Sequence, residues 1–360
     1  MNGNAIRPKS YDVLLASLAA DLAACVKCGR CLAPCPVRQV SATESATLRG
    51  HLALLAGLQS GVPLPLDECR RALSLCVGCL ACQPECHNGV DVANTLALRG
   101  LLLDPGLYER WQSTASEAHR SETIENRSSR IDLRWVEAIR RLNDRQPAHF
   151  IDEPAGLDEL MAGDLPGHAQ LALPLLQRLI DTDSSVLVAC NADTHEGLHW
   201  CSRLYDLPAA AQDALARVTS LPRWLHAIGW QPTHRLEKAY VVFTSASTLL
   251  RDHDRFDAKA WLAMLTPCCD RPLRKAALPW PRATLLVNLT EHHPKTGTEL
   301  VRRVLEQVPG NTVGITPTLH TRCNWLLHQV SSADRHRFVS WQAILCASIL
   351  GPHSSTPEVA

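Results

Sequence analysis

The chain has 360 residues, enough for two domains that each bury a core. Hydrophobic residues make up 46% and charged residues 20%, and Lys+Arg and Asp+Glu stand at 36 each, so nothing global points to nucleic acid or an anionic membrane. No apolar run approaches the roughly 20 residues that span a bilayer, and Met1–Ser10 lacks the apolar stretch of a secretory leader. The expected setting is cytoplasmic, where thiols stay reduced or bind metal. Fifteen cysteines, nine of them before residue 87, then call for a metal.

In chain order, Leu14, Leu15, Leu18 and Leu22 predict an amphipathic helix that leads into Cys25. The first cysteine run follows: Cys25-Val-Lys-Cys28-Gly-Arg-Cys31-Leu-Ala-Pro-Cys35-Pro36. Leu48, Leu52 and Leu55 then form an apolar stripe at helical spacing, residues 58–65 read as a loop, and Asp67 is the expected cap of a further helix. On that helix Cys69, Ala72, Leu73 and Cys76 share a face, with Cys69 read as a small buried hydrophobe. The second run is Cys76-Val-Gly-Cys79-Leu-Ala-Cys82-Gln-Pro-Glu-Cys86-His87.

Both runs carry the spacing C-x2-C-x2-C-x3-C, the bacterial pattern for binding iron–sulfur clusters. Three thiolates on one tight loop wrap a cubane corner by corner, and successive backbone N–H groups offset its negative charge. The fourth cysteine points away and serves the other cluster. The expected wiring is crossed: Cys25, Cys28, Cys31 and Cys86 hold one [4Fe–4S] cluster, and Cys76, Cys79, Cys82 and Cys35 hold a second. Zinc sites use paired cysteines or histidines and do not show this pattern. Disulfides fit neither the spacing nor the compartment. His87 replaces the proline that usually follows the fourth cysteine, which alters loop stiffness without removing a ligand.

The 40 residues between Cys35 and Cys76 read as helix, so the first hundred residues are an α-helical ferredoxin. This arrangement resembles the iron–sulfur subunit of glycolate oxidase and its relatives in lactate-utilisation, anaerobic glycerol-3-phosphate dehydrogenase and heterodisulfide reductase complexes. The resemblance rests on Cys25–Pro36, on Glu44-Ser45-Ala-Thr-Leu-Arg49-Gly50, and on Cys76–Cys86 with Asn88-Gly89-Val90 after it. It implies an electron-transfer subunit that takes electrons from an FAD-containing dehydrogenase oxidising a small 2-hydroxy acid, and passes them towards a quinone or other acceptor. The chain would then be cytoplasmic, or held at the inner face of the membrane through partners. Lys27, Arg30 and Arg38 against Glu85 and Asp91 would orient such a partner.

Residues 111–164 read as a charged helical linker, with an apolar pattern only at Ile131–Leu142. From 165 to 350 short apolar strands alternate with helices. Ser185–Ala192, Ala239–Ser245, Ala283–Thr290 and Asn311–Thr316 are the expected strands, and His168–Asp181, Glu299–Gln307 and Asp334–Leu350 the expected helices. Thr296 and Glu299 read as a capping box. Alternation of this kind makes a mostly parallel sheet. The whole is an α+β multidomain chain: ferredoxin domain 1–110, linker 111–164, α/β domain 165–350, and a disordered tail 351–360.

The family resemblance implies two Cys-Cys-Gly repeats in this second half, and only traces are present. Cys190 ends a strand, Cys268-Cys269-Asp270 has Asp in place of Gly, Lys295 stands where a cysteine would be, and Cys323 falls at a late cysteine of the family. Cys268, Cys269 and Cys323, with Cys190, form a candidate extra metal site, and the half otherwise reads as a degenerate docking scaffold. His292 and His293 read as surface histidines beside a helix cap, with contact to a quinone or partner as the alternative, while Cys201 and Cys346 read as core. Two other functions are considered: a heterodisulfide reductase-like enzyme using Cys268 and Cys269, and a redox sensor. No helix-turn-helix or basic stripe supports the sensor.

Overall fold

The computed structural model describes residues 6–118, 133–243, 257–277, 282–308, 312–316 and 338–351. After a two-residue strand β1 (Arg7–Pro8), six helices build the first half: α1 (Tyr11–Ala24), α2 (Pro36–Ser41), α3 (Leu48–Gln59), α4 (Leu66–Leu73), α5 (Val92–Leu98) and α6 (Gly100–Leu103). α1 and α3 are rich in Leu and Ala, which favour helix. Their expected stripes are the ones buried: Leu14, Leu18 and Leu22 on α1, and Leu48, Leu52 and Leu55 on α3.

The ends of these helices are fixed by side chains. Thr47 accepts from the N–H of Gly50 at 3.3 Å to cap α3, and Asp91 accepts from the N–H of Asn94 at 3.1 Å to cap α5. Asp21, buried on α1, accepts from the Asp91 N–H at 2.8 Å and from Asn94 Nδ2 at 2.7 Å, which ties α1 to the start of α5. Asp67 does not cap α4: the cap position is Pro65, and Asp67 sits inside the first turn and pairs with Arg70 at 2.7 Å. A carboxylate there still complements the positive end of the helix.

The second half alternates helices and strands: α7 (Leu107–Ala118), α8 (Leu133–Arg145), β2 (His149–Ile151), α9 (Leu157–Ala162), α10 (Leu165–Asp181), β3 (Leu187–Ala189), α11 (Ala192–Leu204), β4 (Tyr205–Asp206), α12 (Ala209–Ala216), β5 (Val218–Ser220) and α13 (Leu221–Ala227). It continues with β6 (Ala239–Val242), α14 (Asp257–Leu265), β7 (Arg274–Lys275), α15 (Ala283–His292), α16 (Pro294–Glu306), β8 (Thr312–Thr316), β9 (Phe338–Ser340) and α17 (Trp341–Leu350). Two parallel sheets result, ordered β2-β3-β5 and β7-β6-β8-β9. All three residues of β3 are buried, as expected for a parallel strand covered on both faces. The fold is α+β, with a helical ferredoxin-like first half followed by parallel sheets.

Three further expectations change. Residues Ala283–Thr290 form a helix and not a strand, because Leu285, Leu286 and Leu289 recur at helical spacing and a short apolar run does not separate the two periods. α16 begins at Pro294 with His293 at the cap position, so Thr296 lies within the first turn and there is no capping box. Within the expected helix 334–350, Phe338–Ser340 form strand β9. α17 follows, capped where Ser340 Oγ accepts from the Ala343 N–H at 3.1 Å. Residues 334–337 and the tail 352–360 lie outside the described residues.

Within 111–164 the described elements are packed. Trp111 and Ala115 on α7 and Ala138 and Leu142 on α8 are buried, and β2 is a strand of the first sheet. The solvent face of α8 carries Glu137 paired with Arg140 and Arg141, and those charges mask the buried stripe in the sequence. β1 pairs antiparallel with β4, joining the start of the described chain to the second half. One core cluster spans both halves, with Val37, Ala46, Leu75, Val77 and Cys79 packed among Val241, Phe243, Leu286, Leu289 and Leu300.

Candidate metal centres

The loop between α1 and α2 turns through two left-handed residues, Lys27 (φ 58) and Gly29 (φ 83). It faces a cleft lined by Cys25, Cys28, Cys31 and Cys86, with Leu48, Arg49 and Leu52 from α3. The Glu44–Gly50 motif braces this loop. Arg49 is held by Glu44 at 2.6 Å and donates from Nη1 to the Lys27 carbonyl at 3.3 Å. Gly50 lets α3 approach the turn before it, since a Cβ there would collide with the Glu44 carbonyl.

The second loop repeats the device with Gly78 (φ 59) and Leu80 (φ 55). Cys76, Cys79 and Cys82 line a deeper cleft with Cys35, walled by Val37, Ala46, Leu48, His51, Val92 and Leu96. The Gly78 N–H donates to Cys76 Sγ at 3.4 Å, an amide aimed at a candidate ligand sulfur. Each cleft therefore gathers three cysteines of one run and the fourth of the other, and Leu48 lines both.

The two clefts differ in exposure. Cys28 is exposed in the first, with Val26, Lys27 and Arg30 exposed beside it. In the second, Cys79 is buried. Burial pushes the Cys79 thiol up to about 12 and the Cys35 thiol up to about 11, and raises Cys76 and Cys82 as well. It raises Cys31 too, where the neighbouring Cys25 and Cys28 add to the effect. Thiols raised in this way would give up their protons on binding iron, so cluster uptake would depend on pH.

Among the described residues no three His, Cys, Asp or Glu side chains converge as the site of a single ion requires. A [4Fe–4S] cubane makes a different demand, with each thiolate on its own iron. Four cysteines per cleft, an apolar wall and an amide directed at sulfur fit that group. Among the described residues no helix is long and apolar enough to cross a membrane.

The second half closes over the second loop. Arg282 donates from its backbone N–H to the Val77 carbonyl at 3.0 Å and from Nε to the Gly78 carbonyl at 3.2 Å, while its Nη1 pairs with Asp158 at 3.2 Å. His293 Nε2 contacts the Arg71 carbonyl at 3.1 Å and Ser74 Oγ at 3.3 Å, at the end of α4, and His292 beside it is exposed. Asp91 is likewise engaged, as the α5 cap and in a 2.9 Å pair with Arg203. Sequence reasoning missed Arg282, because its role depends on neighbours distant in the chain.

Among the described residues the cysteines of the second half are buried in the core clusters. Cys190, Cys268 and Cys269 are buried with Tyr240, Trp341 and Cys346, and Cys268 Sγ donates to the Met264 carbonyl at 3.4 Å. Asp270 pairs with Arg235 at 3.1 Å. Burial pushes Cys268 up to about 11 and Cys269 up to about 12. Cys323 lies outside the described residues. Cys201 is buried on α11 and Cys346 on α17, both as core. Cys69 is buried on α4 among the first-half leucines.

Residues 21–90 match the family model of the 4Fe-4S dicluster domain. Over 77 residues the chain is 39% identical to the probable glycolate oxidase iron-sulfur subunit of Bacillus subtilis (strain 168), a stretch covering 21% of this chain and 17% of that relative. No solved structure matches significantly. The likeness to the iron–sulfur subunits thus stands over residues 21–90, the stretch that carries both cysteine runs and matches a domain for [4Fe–4S] clusters.

Proposed function

We propose that the chain is an electron-transfer subunit with two [4Fe–4S] clusters, relaying electrons from an FAD-containing flavoprotein that oxidises a small 2-hydroxy acid towards a quinone or other acceptor. The observation that carries this reading is the pair of four-cysteine clefts on either side of Leu48. Cys25, Cys28, Cys31 and Cys86 would hold one cluster, and Cys35, Cys76, Cys79 and Cys82 the other. When bound, such clusters supply one-electron redox chemistry.

The chain's own contribution is to hold, orient and exclude. Apolar walls keep water from the second cleft, Gly78 directs its N–H at sulfur, and Arg282 fixes the loop from the second half. The first cleft is the exposed end, where Val26, Lys27 and Arg30 would meet the partner. The 2-hydroxy acid class follows the printed name of the relative, of which only a minor part is matched.

The test is co-purification from the native host followed by anaerobic addition of 2-hydroxy acids. A flavoprotein should accompany the chain, and glycolate or lactate should bleach the cluster absorbance. Bleaching by dithionite but by no 2-hydroxy acid, in a complex that holds flavin, contradicts the donor. The disulfide-reducing alternative needs ligands at Cys268 and Cys269, which among the described residues lie in an apolar core.

A further inference from the structure

The two cysteine runs end differently. In the first, a helix holds the fourth cysteine: Cys35 is the cap position of α2, Pro36 opens the helix, and the Cys35 carbonyl accepts from the Gln39 N–H at 3.3 Å. In the second, His87 stands in place of the proline and α5 begins only at Val92, so Cys86 sits on a loop. That loop has two demands to meet, because Cys82 lines the second cleft and Cys86 lines the first.

Gln83, buried between the two cysteines, closes the neck of the loop. Its Nε2 donates to the Val90 carbonyl at 3.0 Å, and its Oε1 accepts from the Val92 N–H at 2.7 Å. One planar amide thus uses its donor and its acceptor at once. Val90 lines the first cleft and Val92 the second, so the same side chain fixes backbone at both. Asp91, between them, is fastened from the other side: its N–H donates at 2.8 Å to Asp21 Oδ1, on the last turn of α1 ahead of Cys25. Beyond the neck the loop is made of tight turns, with the Cys86 N–H on the Gln83 carbonyl at 3.2 Å and the Gly89 N–H on the Cys86 carbonyl at 3.3 Å. Val90 and Val92 are buried, and a buried backbone group that loses its partner is disfavoured.

We infer that Gln83 is the positioning residue of Cys86: by bolting the loop at Val90 and Val92 it delivers the fourth cysteine of the second run to the first cleft. It does for Cys86 what Pro36 and α2 do for Cys35. Cys82 lies before the neck, on the tight Cys76–Cys82 loop, and keeps its place without the bolt. Loss of the bolt is therefore felt in the first cleft, although Gln83 adjoins a cysteine of the second. The inference rests on the two-cluster reading above.

The test uses the full chain, purified anaerobically, with iron counts and EPR of wild type, Gln83→Met and the double variant Gln83→Met/His87→Pro. Methionine keeps the length of the side chain but cannot donate to Val90. Gln83→Met should lose the EPR signal that Cys28→Ser abolishes and keep the one that Cys79→Ser abolishes, with about four irons per chain in place of about eight. Both signals intact with full iron overturn the inference, as does loss of the second signal alone. The double variant decides the case in which Gln83→Met holds no iron at all. His87 is the second residue of the turn closed by the Gly89 N–H, where proline is favoured, so this change stiffens the Cys86 loop by another route. Return of both signals there supports the inference, and their continued absence overturns it. A wild-type chain without iron refutes the two-cluster reading instead.

Discussion

Arg282 and Val77 are joined by a 3.0 Å backbone hydrogen bond between the second half and the loop of the second cysteine run. The Arg282 side chain adds the Gly78 carbonyl and the pair with Asp158, whose side chains are only 10% and 11% exposed. The second half thus braces the loop that carries Cys76 and Cys79.

Removing that side chain has a cost set by the buried pair. Arg282→Met takes the ion-pair partner from Asp158 and should destabilise the chain by about 3 kcal/mol. Thermal unfolding checks the size. Iron should also fall, since the second loop loses its brace, whereas Arg140→Met on the solvent face of α8 should leave the iron count at its wild-type value.

Gly50→Ala tests the close approach of α3 to the turn at Glu44. The added methyl meets backbone, which cannot swing aside, and overpacking of this kind costs about 2 kcal/mol. Gly61→Ala is the comparison: its φ is 74 but nothing lies within 4 Å of the added Cβ. Only the left-handed strain, about 1 kcal/mol, should appear there. Denaturation midpoints of the two variants give the order.

Stability should fall with acid through His168. Its Nε2–H donates to the Gly197 carbonyl at 3.1 Å, and its Nδ1 accepts from Tyr205 at 3.4 Å, inside a core that also holds Trp111. Burial pushes this imidazole down to about 4. The unfolded chain then takes up the proton first, near pH 6.5, so stability is full above that value and declines towards pH 4. By pH 5 the loss is roughly 2 kcal/mol. His168→Gln should flatten the dependence of urea midpoints on pH; an unchanged slope would show that other groups set it.

The crossed wiring has a distinct signature. Cys35→Ser should abolish the same EPR signal as Cys79→Ser, and Cys86→Ser the same signal as Cys28→Ser. If Cys35→Ser instead groups with Cys28→Ser, each cluster is wired within its own run.

The cysteine runs are legible in the sequence because their spacing is itself the chemistry, and the α1 and α3 stripes because burial on one face leaves a period. The Glu44–Gly50 motif is visible too, although its purpose needs the structure: Arg49 reaches Lys27, and Gly50 clears the Glu44 carbonyl. Arg282 is not legible. It looks like an ordinary polar residue at the start of a helix, and only partners far along the chain give it a task. Residues 283–290 mislead for another reason, because a short apolar run serves strand and helix equally until its neighbours decide.

The most direct measurement is iron and inorganic sulfide analysis of the chain purified anaerobically, with cluster type read by EPR after reduction. Two cubanes give about eight irons and eight sulfides per chain. Zinc without iron, or four irons in a fully folded chain, would contradict the two-cluster relay.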